Sequence, residues 1–443
     1  MLFILLKDNS TFLFRLKIEH MKRFLFLVIP AAILSINSCT SDIGTIQVTY
    51  QEATAIYGDL DQIRATPLNE SPQEIGDPGK LYVAENFILI GEEEKGIHVI
   101  DNSDPANPRN INFINIPGNR EYFVKDNFIY AESYYDVVKV NISDPSNAIL
   151  EARAEFVFQD EVKDASGNTL VGFNFKEVTK ELDQHSHFYY EVQAGNYIFL
   201  DFARNIIPKS AVPASFAGNS AEGSGTVNRV AYSQDHVYIL GQNDLKIIAD
   251  SPALFEVVNA DNFVHFGNDM ETIFPYDNKL FIGSRSSMDV YDLSDAENPK
   301  YVYSFQHATS CDPVLPVEDA AYVTLRTADF SPCPGNINAL VVIDISDLNN
   351  ASQVMEIQMA SPYGMTFFND QLFVGEGENG LRIFNATNKL APELIVWDKS
   401  IKAYDVLPHP SNSSLVLIAG PFGLDQYQIN NDLSLNLKSS IAF

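Results

Sequence analysis

The segment "DQHSHFYYE" sets His185 and His187 two residues apart, on one side of an extended chain, with Asp183 and Glu191 nearby. Imidazole and carboxylate are the ligand types of a zinc-like site. Spacing fixes no third ligand, so the preferred reading is a polar strand edge whose neighbours Phe188, Tyr189 and Tyr190 pack elsewhere. No metal and no cofactor are assigned. Two acidic phrases, "GEEEKG" with Glu92, Glu93 and Glu94 and "GEGENG" with Glu376 and Glu378, carry enough charge for a cation-binding rim, although solvated loops commonly carry the same. Arg285 and Arg326 are expected nearer the centre of the fold, where they would pair with these acids or with an anionic ligand. The chain holds no G-x-S-x-G, H-E-x-x-H, Walker loop or C-x-x-C.

What positions these residues is a repeat. An apolar run closed by a polar residue, followed by a turn phrase, recurs at Asp101, Asn141, Asp250, Asp292, Asp344, Asn385 and Gln428, with gaps of 40, 109, 42, 52, 41 and 43 residues. A second short apolar strand precedes each, in "NFILIG", "NFIYAE", "HVYILG", "KLFIGS", "AAYVTL", "QLFVGE" and "SLVLIA". Each unit reads as four short strands separated by turns rich in Asn, Gly, Asp and Pro. A period near 42 residues built of four antiparallel strands is a β-propeller blade, whose sheet buries both faces only by stacking on its neighbours. The fold class is therefore all-β: one propeller of seven four-stranded blades over residues 75–443. The 109-residue gap carries an inserted segment at about residues 159–225, between blades 2 and 3. In turns such as "DNSDP" and "NISDP" the side chains accept backbone N–H groups and Pro ends strand pairing, which is preferred over a calcium loop because the Gly and bidentate Glu of such a loop are missing.

The units "GIHVIDNSDPANP", "LVVIDISDL" and "LRIFNATNK" resemble the LVIVD repeat, a propeller repeat of bacterial secreted proteins and lipoproteins. The resemblance implies architecture and no common activity. The single Trp397-Asp398 pair does not recur, so the array is not of the WD40 type.

The N-terminus supplies an address. From Met21, the expected start of translation, "MKRFLFLVIPAAILSINSC" has a basic n-region, an apolar stretch too short to span a bilayer, and small polar residues before Cys39. It resembles a bacterial lipoprotein signal, which implies removal of residues 1–38 and lipidation of Cys39. Residues 39–74 are then a spacer in which "IQVTYQEATAIYG" alternates as one strand and "DLDQIRA" forms one helical turn. The formal charge is -29, and loss of residues 1–38 (Lys7, Arg15, Lys17, Lys22 and Arg23 against Asp8 and Glu19) leaves about -32. Such a field argues against nucleic acid and anionic lipid surfaces as partners. Of the 3 cysteines, Cys311 and Cys333 remain as thiols in an oxidising compartment, and propeller wiring places both in loops of one face of blade 5, so a disulfide is expected.

The reading that follows is a lipid-anchored cell-envelope protein, expected in the outer membrane, with membrane contact through the lipid alone. Its propeller acts as a non-catalytic binding or scaffold module for protein or glycan. The alternative is an envelope hydrolase or lyase whose carboxylates and Arg residues converge at the axial mouth, since propeller enzymes assemble sites from scattered loops.

Overall fold

The computed structural model describes residues 45–157, 162–183, 198–199, 230–240, 244–258, 264–265, 270–284, 287–306, 314–326 and 337–443. Cys39, His185, His187, Arg285, Cys311 and Cys333 lie outside these residues. The chain divides into two compact units, one of residues 1–56 and 172–206, the other of residues 57–171 and 207–443. The first centres on the 14-residue strand Thr45–Gly58, which lies between Thr169–Asp183 and Ile198–Phe199. Thr49 and Thr179 share a hydroxyl hydrogen bond of 2.9 Å, and Lys180 donates to Glu52 at 2.7 Å.

The second unit is a ring of seven antiparallel sheets, and the strands of each blade are lettered A to D in chain order. Blade 1 is Pro78–Val83, Phe87–Glu92, Gly96–Asp101 and Arg109–Asn115; blade 2 is Tyr122–Lys125, Phe128–Ser133, Asp136–Asn141 and Ile149–Ala154. Blade 3 is Val230–Ser233, His236–Leu240, Asp244–Ser251 and Leu254–Val257; blade 4 is Met270–Tyr276, Lys279–Ser284, Ser287–Asp292 and Lys300–Gln306. Blade 5 is Val314–Val317, Ala320–Leu325, Ala339–Asp344 and Ser352–Gln358. Blade 6 is Met365–Phe368, Gln371–Gly375, Leu381–Asn385 and Glu393–Asp398; blade 7 is Asp405–Pro408, Leu415–Gly420, Gly423–Ile429 and Leu435–Ala442.

Period-2 alternation explains how one sheet serves two interfaces. In strand B of blade 1, Ile88 and Ile90 pack on Leu417, Ala419 and Leu424 of blade 7, while Leu89 packs on Tyr122, Ile129 and Val140 of blade 2. Each such fully buried side chain contributes about 1.5–3 kcal/mol. The seven apolar clusters between blades correspond to the seven seams of the ring. Blade 7 takes all four of its strands from one continuous run, so the ring closes by side-chain packing and not by exchange of a strand.

The C–D turns are capped from within. Asp101 Oδ1 accepts from the Ser103 N–H at 3.1 Å and its hydroxyl at 2.7 Å; Asp344 with Ser346 and Asn385 with Thr387 repeat the pattern. Blade 3 corrects the repeat alignment by one residue. In every blade the residue after the turn-capping position donates its N–H to the carbonyl just before strand B, and the residues that do so are Asn102, Ile142, Asp250, Leu293, Ile345, Ala386 and Ile429. Asp250 is thus the counterpart of Asn102 and not of Asp101, because the tight Pro252-Ala253 turn shortens the phrase.

The expected spacer is structured before the first blade. Asp59 caps the helix Leu60–Arg64 by accepting from the N–H groups of Asp61 and Gln62. Arg64 then donates two 2.9 Å bonds to Asp136, a fully buried carboxylate of blade 2 that also accepts from Arg153 at 2.8 Å. Asn69–Glu70 extends the outer edge of blade 1, pairing with Ile114 and Phe113.

Candidate functional site

Antiparallel wiring puts the D–A connectors and the B–C hairpins on one face, called here the connector face, and the A–B hairpins and C–D turns on the other. Both acidic phrases lie on the connector face, but their first acids do not belong to a ligand rim. Glu92 and Glu376 follow directly on the core of strand B, and they are 2% and 0% exposed. Glu92 accepts from the N–H groups of Gly76 and Asp77 at 3.1 and 3.2 Å, from Lys95 at 2.8 Å, and from His98 at 3.1 Å. Glu376 accepts from the Ala360 N–H and from Arg382 Nε, both at 2.6 Å. Each carboxylate therefore fastens the chain as it enters strand A of its own blade. Burial would raise the Glu92 carboxyl, but hydrogen bonds from Lys95, Gly76 and His98 outweigh it and hold it below the usual range. Burial lowers His98 despite Glu92, so the neutral ring donates from Nε2.

The remaining acids meet a basic residue near the axis. Arg120, in the connector from blade 1 to blade 2, donates to Glu94 at 2.7 Å and stands 3.9 Å from Glu93. Burial pushes the Glu93 carboxyl up to about 7; Arg120 opposes this, while Glu94, Asp77 and Glu121 add to it. Strand A of blade 1, the innermost, breaks register between Pro78 and Leu81. Lys80 sits in that bulge, with its side chain 9% exposed and its ammonium 3.6 Å from Glu121. Burial lowers its pKa against the pull of Glu121 and Asp405.

A second cluster spans blades 5 to 7. The Arg326 guanidinium lies 4.2 Å over the Tyr363 ring, which meets Tyr404 edge to face at 4.8 Å. The Tyr404 hydroxyl donates to Glu378 at 3.3 Å, and Lys402 pairs with the same carboxylate. Gly377, at φ 55°, leaves room for Tyr363, since a Cβ there would lie 2.7 Å from the ring. The structure thus links Arg326 to Glu378 through Tyr363 and Tyr404, and it sets Glu93 and Glu94 beside Arg120. Lys80, Arg120, Glu121, Tyr363 and Tyr404 escaped the sequence reading. The "PG" before "KLYV" is a bulge signal for Lys80, and the two tyrosines stand just ahead of strand A in blades 6 and 7, outside the strand B and C phrases that reveal the repeat. Among the described residues no group of three His, Cys, Asp or Glu is placed to hold a metal ion.

This geometry belongs to a repeat that a family model also finds. Residues 75–112 match the LVIVD repeat. They cover strands A to C of blade 1, its C–D turn and the start of strand D. No curated protein matches the chain. Similar solved structures include BamB from Moraxella catarrhalis, at 9% identity over 77% of this chain and 82% of that one, with TM-score 0.44. The periplasmic gluconolactonase PpgL of Pseudomonas aeruginosa is 11% identical over 80% and 96%, with TM-score 0.48. Hsv2 of Kluyveromyces lactis is 11% identical over 83% and 99%, with TM-score 0.48.

Proposed function

We propose that the protein is a cell-envelope lipoprotein, anchored in the outer membrane through Cys39, whose connector face binds a protein or glycan without transforming it. The observation that carries this reading is the cluster of Arg326, Tyr363, Tyr404, Glu378 and Lys402. It spans three blades, is partly open to solvent, and combines aromatic and Arg groups of the kind that dominate recognition surfaces. The signal-like stretch before Cys39 supports the address, and among the described residues no helix is long and apolar enough to cross a membrane. The bridge from Cys311 to Cys333 would tie two loops of the same face.

The test uses the soluble Cys39→Ser form against immobilised envelope proteins and polysaccharides. Replacing Tyr363 and Tyr404 by Ala should weaken binding at least about tenfold with folding unchanged. Equal binding by the variant, or none by the parent, overturns the reading.

A second reading, an axial hydrolase or lyase, is favoured by one observation: burial lifts the Glu93 carboxyl, 3.9 Å from Arg120, to about 7, a range suited to acid–base work. Turnover of an envelope polysaccharide that is lost in Glu93→Gln would select it over simple binding.

A further inference from the structure

Two seams of the ring lack a short connector. At one, blade 7 meets blade 1; at the other, blades 2 and 3 are separated in sequence by residues 155–229. Every seam is crossed at the same two positions. One is the residue two places before the turn-capping residue of strand C, which faces the following blade. The other is the residue just after that capping position in the following blade, marked by the N–H bond to the carbonyl before strand B. At the five seams joined by short connectors the pairs are Val99 with Ile142, Ile247 with Leu293, Val290 with Ile345, Val342 with Ala386, and Ile383 with Ile429. Each pair falls within one apolar cluster.

At the two unconnected seams both positions are polar. Gln426 of blade 7 and Asn102 of blade 1, 0% and 1% exposed, exchange amide bonds of 2.7 and 3.1 Å. Lys139 of blade 2 donates to Asp250 of blade 3 at 2.6 Å, and the Tyr130 hydroxyl donates to the other carboxylate oxygen at 2.5 Å. These hydrogen bonds join side chains of neighbouring blades, all of them buried except Lys139, which is 17% exposed. The buried side-chain pairs Glu92 with His98, Ser284 with Ser287 and Glu376 with Arg382, by contrast, each lie within one blade.

We propose that these two pairs form a recognition code that closes the ring in the correct blade order where no short connector enforces it, and that they keep an open blade face from closing on the non-matching face of a second copy of the chain. An apolar pair matches any other apolar pair, so five of the seams carry no identity of their own. The short connectors make identity unnecessary there, because each blade is delivered to its neighbour at high effective concentration. The amide pair and the ammonium–carboxylate pair are mutually exclusive. Lys139 set against Asn102 would bury a cation without its counter-ion, and Gln426 set against Asp250 would do the same to an anion. A polar pair inside an apolar interface also penalises register slips and wrong partners, as single buried polar residues do in helical zippers. The faces exposed by opening these seams recur on every copy, so closure of non-matching faces between copies is the competing product.

The test is refolding of the full chain in its Cys39→Ser form, read by size-exclusion chromatography and thermal unfolding. Asn102→Leu alone, or Asp250→Leu alone, should lower the melting temperature and raise the oligomeric fraction. Asn102→Ile with Gln426→Leu copies the apolar seams, and it should recover the melting temperature while still yielding more oligomer than the parent. Asn102→Asp with Gln426→Lys makes the two seams identical, so it should recover the melting temperature over Asn102→Leu while still yielding more oligomer than the parent, because either lysine then matches either aspartate. If the apolar double variant refolds to monomer as completely as the parent, the pair contributes stability alone and the proposal is overturned. Single variants that behave as the parent, or a charged double variant that refolds to monomer as completely as the parent, overturn it equally.

Discussion

The B–C hairpins of blades 1 and 6 start from nearly the same phrase, "GEEEKG" and "GEGENG", and spend their acids differently. In both, the first Glu turns inward to fasten the connector. In blade 6 its charged partner among the described residues is Arg382, which is 8% exposed and packed 4.1 Å over Trp397. In blade 1 the charged partner is Lys95, 60% exposed, and the buried partner is a neutral imidazole. The same carboxylate position is thus half of a buried ion pair in one blade and, in the other, a buried hub of hydrogen bonds whose cation stands in solvent. The number of charges left stranded, more than the number of bonds lost, should set the cost of removing it.

That comparison breaks first at Glu376. Glu376→Ala leaves the Arg382 guanidinium buried without its counter-ion and should destabilise the protein by about 3–5 kcal/mol, measured by denaturant unfolding. Glu92→Ala frees the Gly76 and Asp77 N–H groups and His98 but strands no buried charge, so about 1–3 kcal/mol is expected. If the Glu92 variant proves the weaker protein, backbone anchoring outweighs charge burial at this position and the ranking must be reversed.

The seven blades were legible because strands B and C repeat their apolar runs and Asx-Ser turns at a fixed interval. The site was legible only in part. Glu92 and Glu376 look like solvated loop charge because sequence shows their type and not their place at the end of strand B, where the side chain points beneath the incoming connector. Asp250 was aligned one residue early because its phrase closes in a tighter turn, and the error hid its match with Asn102. Lys80 and Arg120 gain their setting from Glu121, Glu93 and Glu94 across a blade boundary, a closeness that no local pattern encodes.

The smallest expected effect separates the second acids of the two hairpins by pH. Glu378 lies exposed beside Lys402, which holds its carboxyl low, whereas burial lifts Glu93 to about 7. An acid whose folded pKa exceeds its unfolded value of about 4.5 binds more protons in the folded state. Its contribution to stability is therefore full below about 4.5 and declines as pH rises toward 7. Glu92 acts in the opposite sense, since a carboxyl held low stabilises above its unfolded value and loses that contribution as pH falls through the folded one. Melting curves between pH 5 and pH 8 should therefore fall less steeply with rising pH in Glu93→Gln than in the parent. Glu378→Gln should leave the slope in that window unchanged, because its depressed carboxyl is ionised in both states there. Parallel curves for the parent and Glu93→Gln would mean that Arg120 neutralises Glu93 across the whole range, and the axial mouth would then hold two ordinary ion pairs in place of a proton-sharing acid.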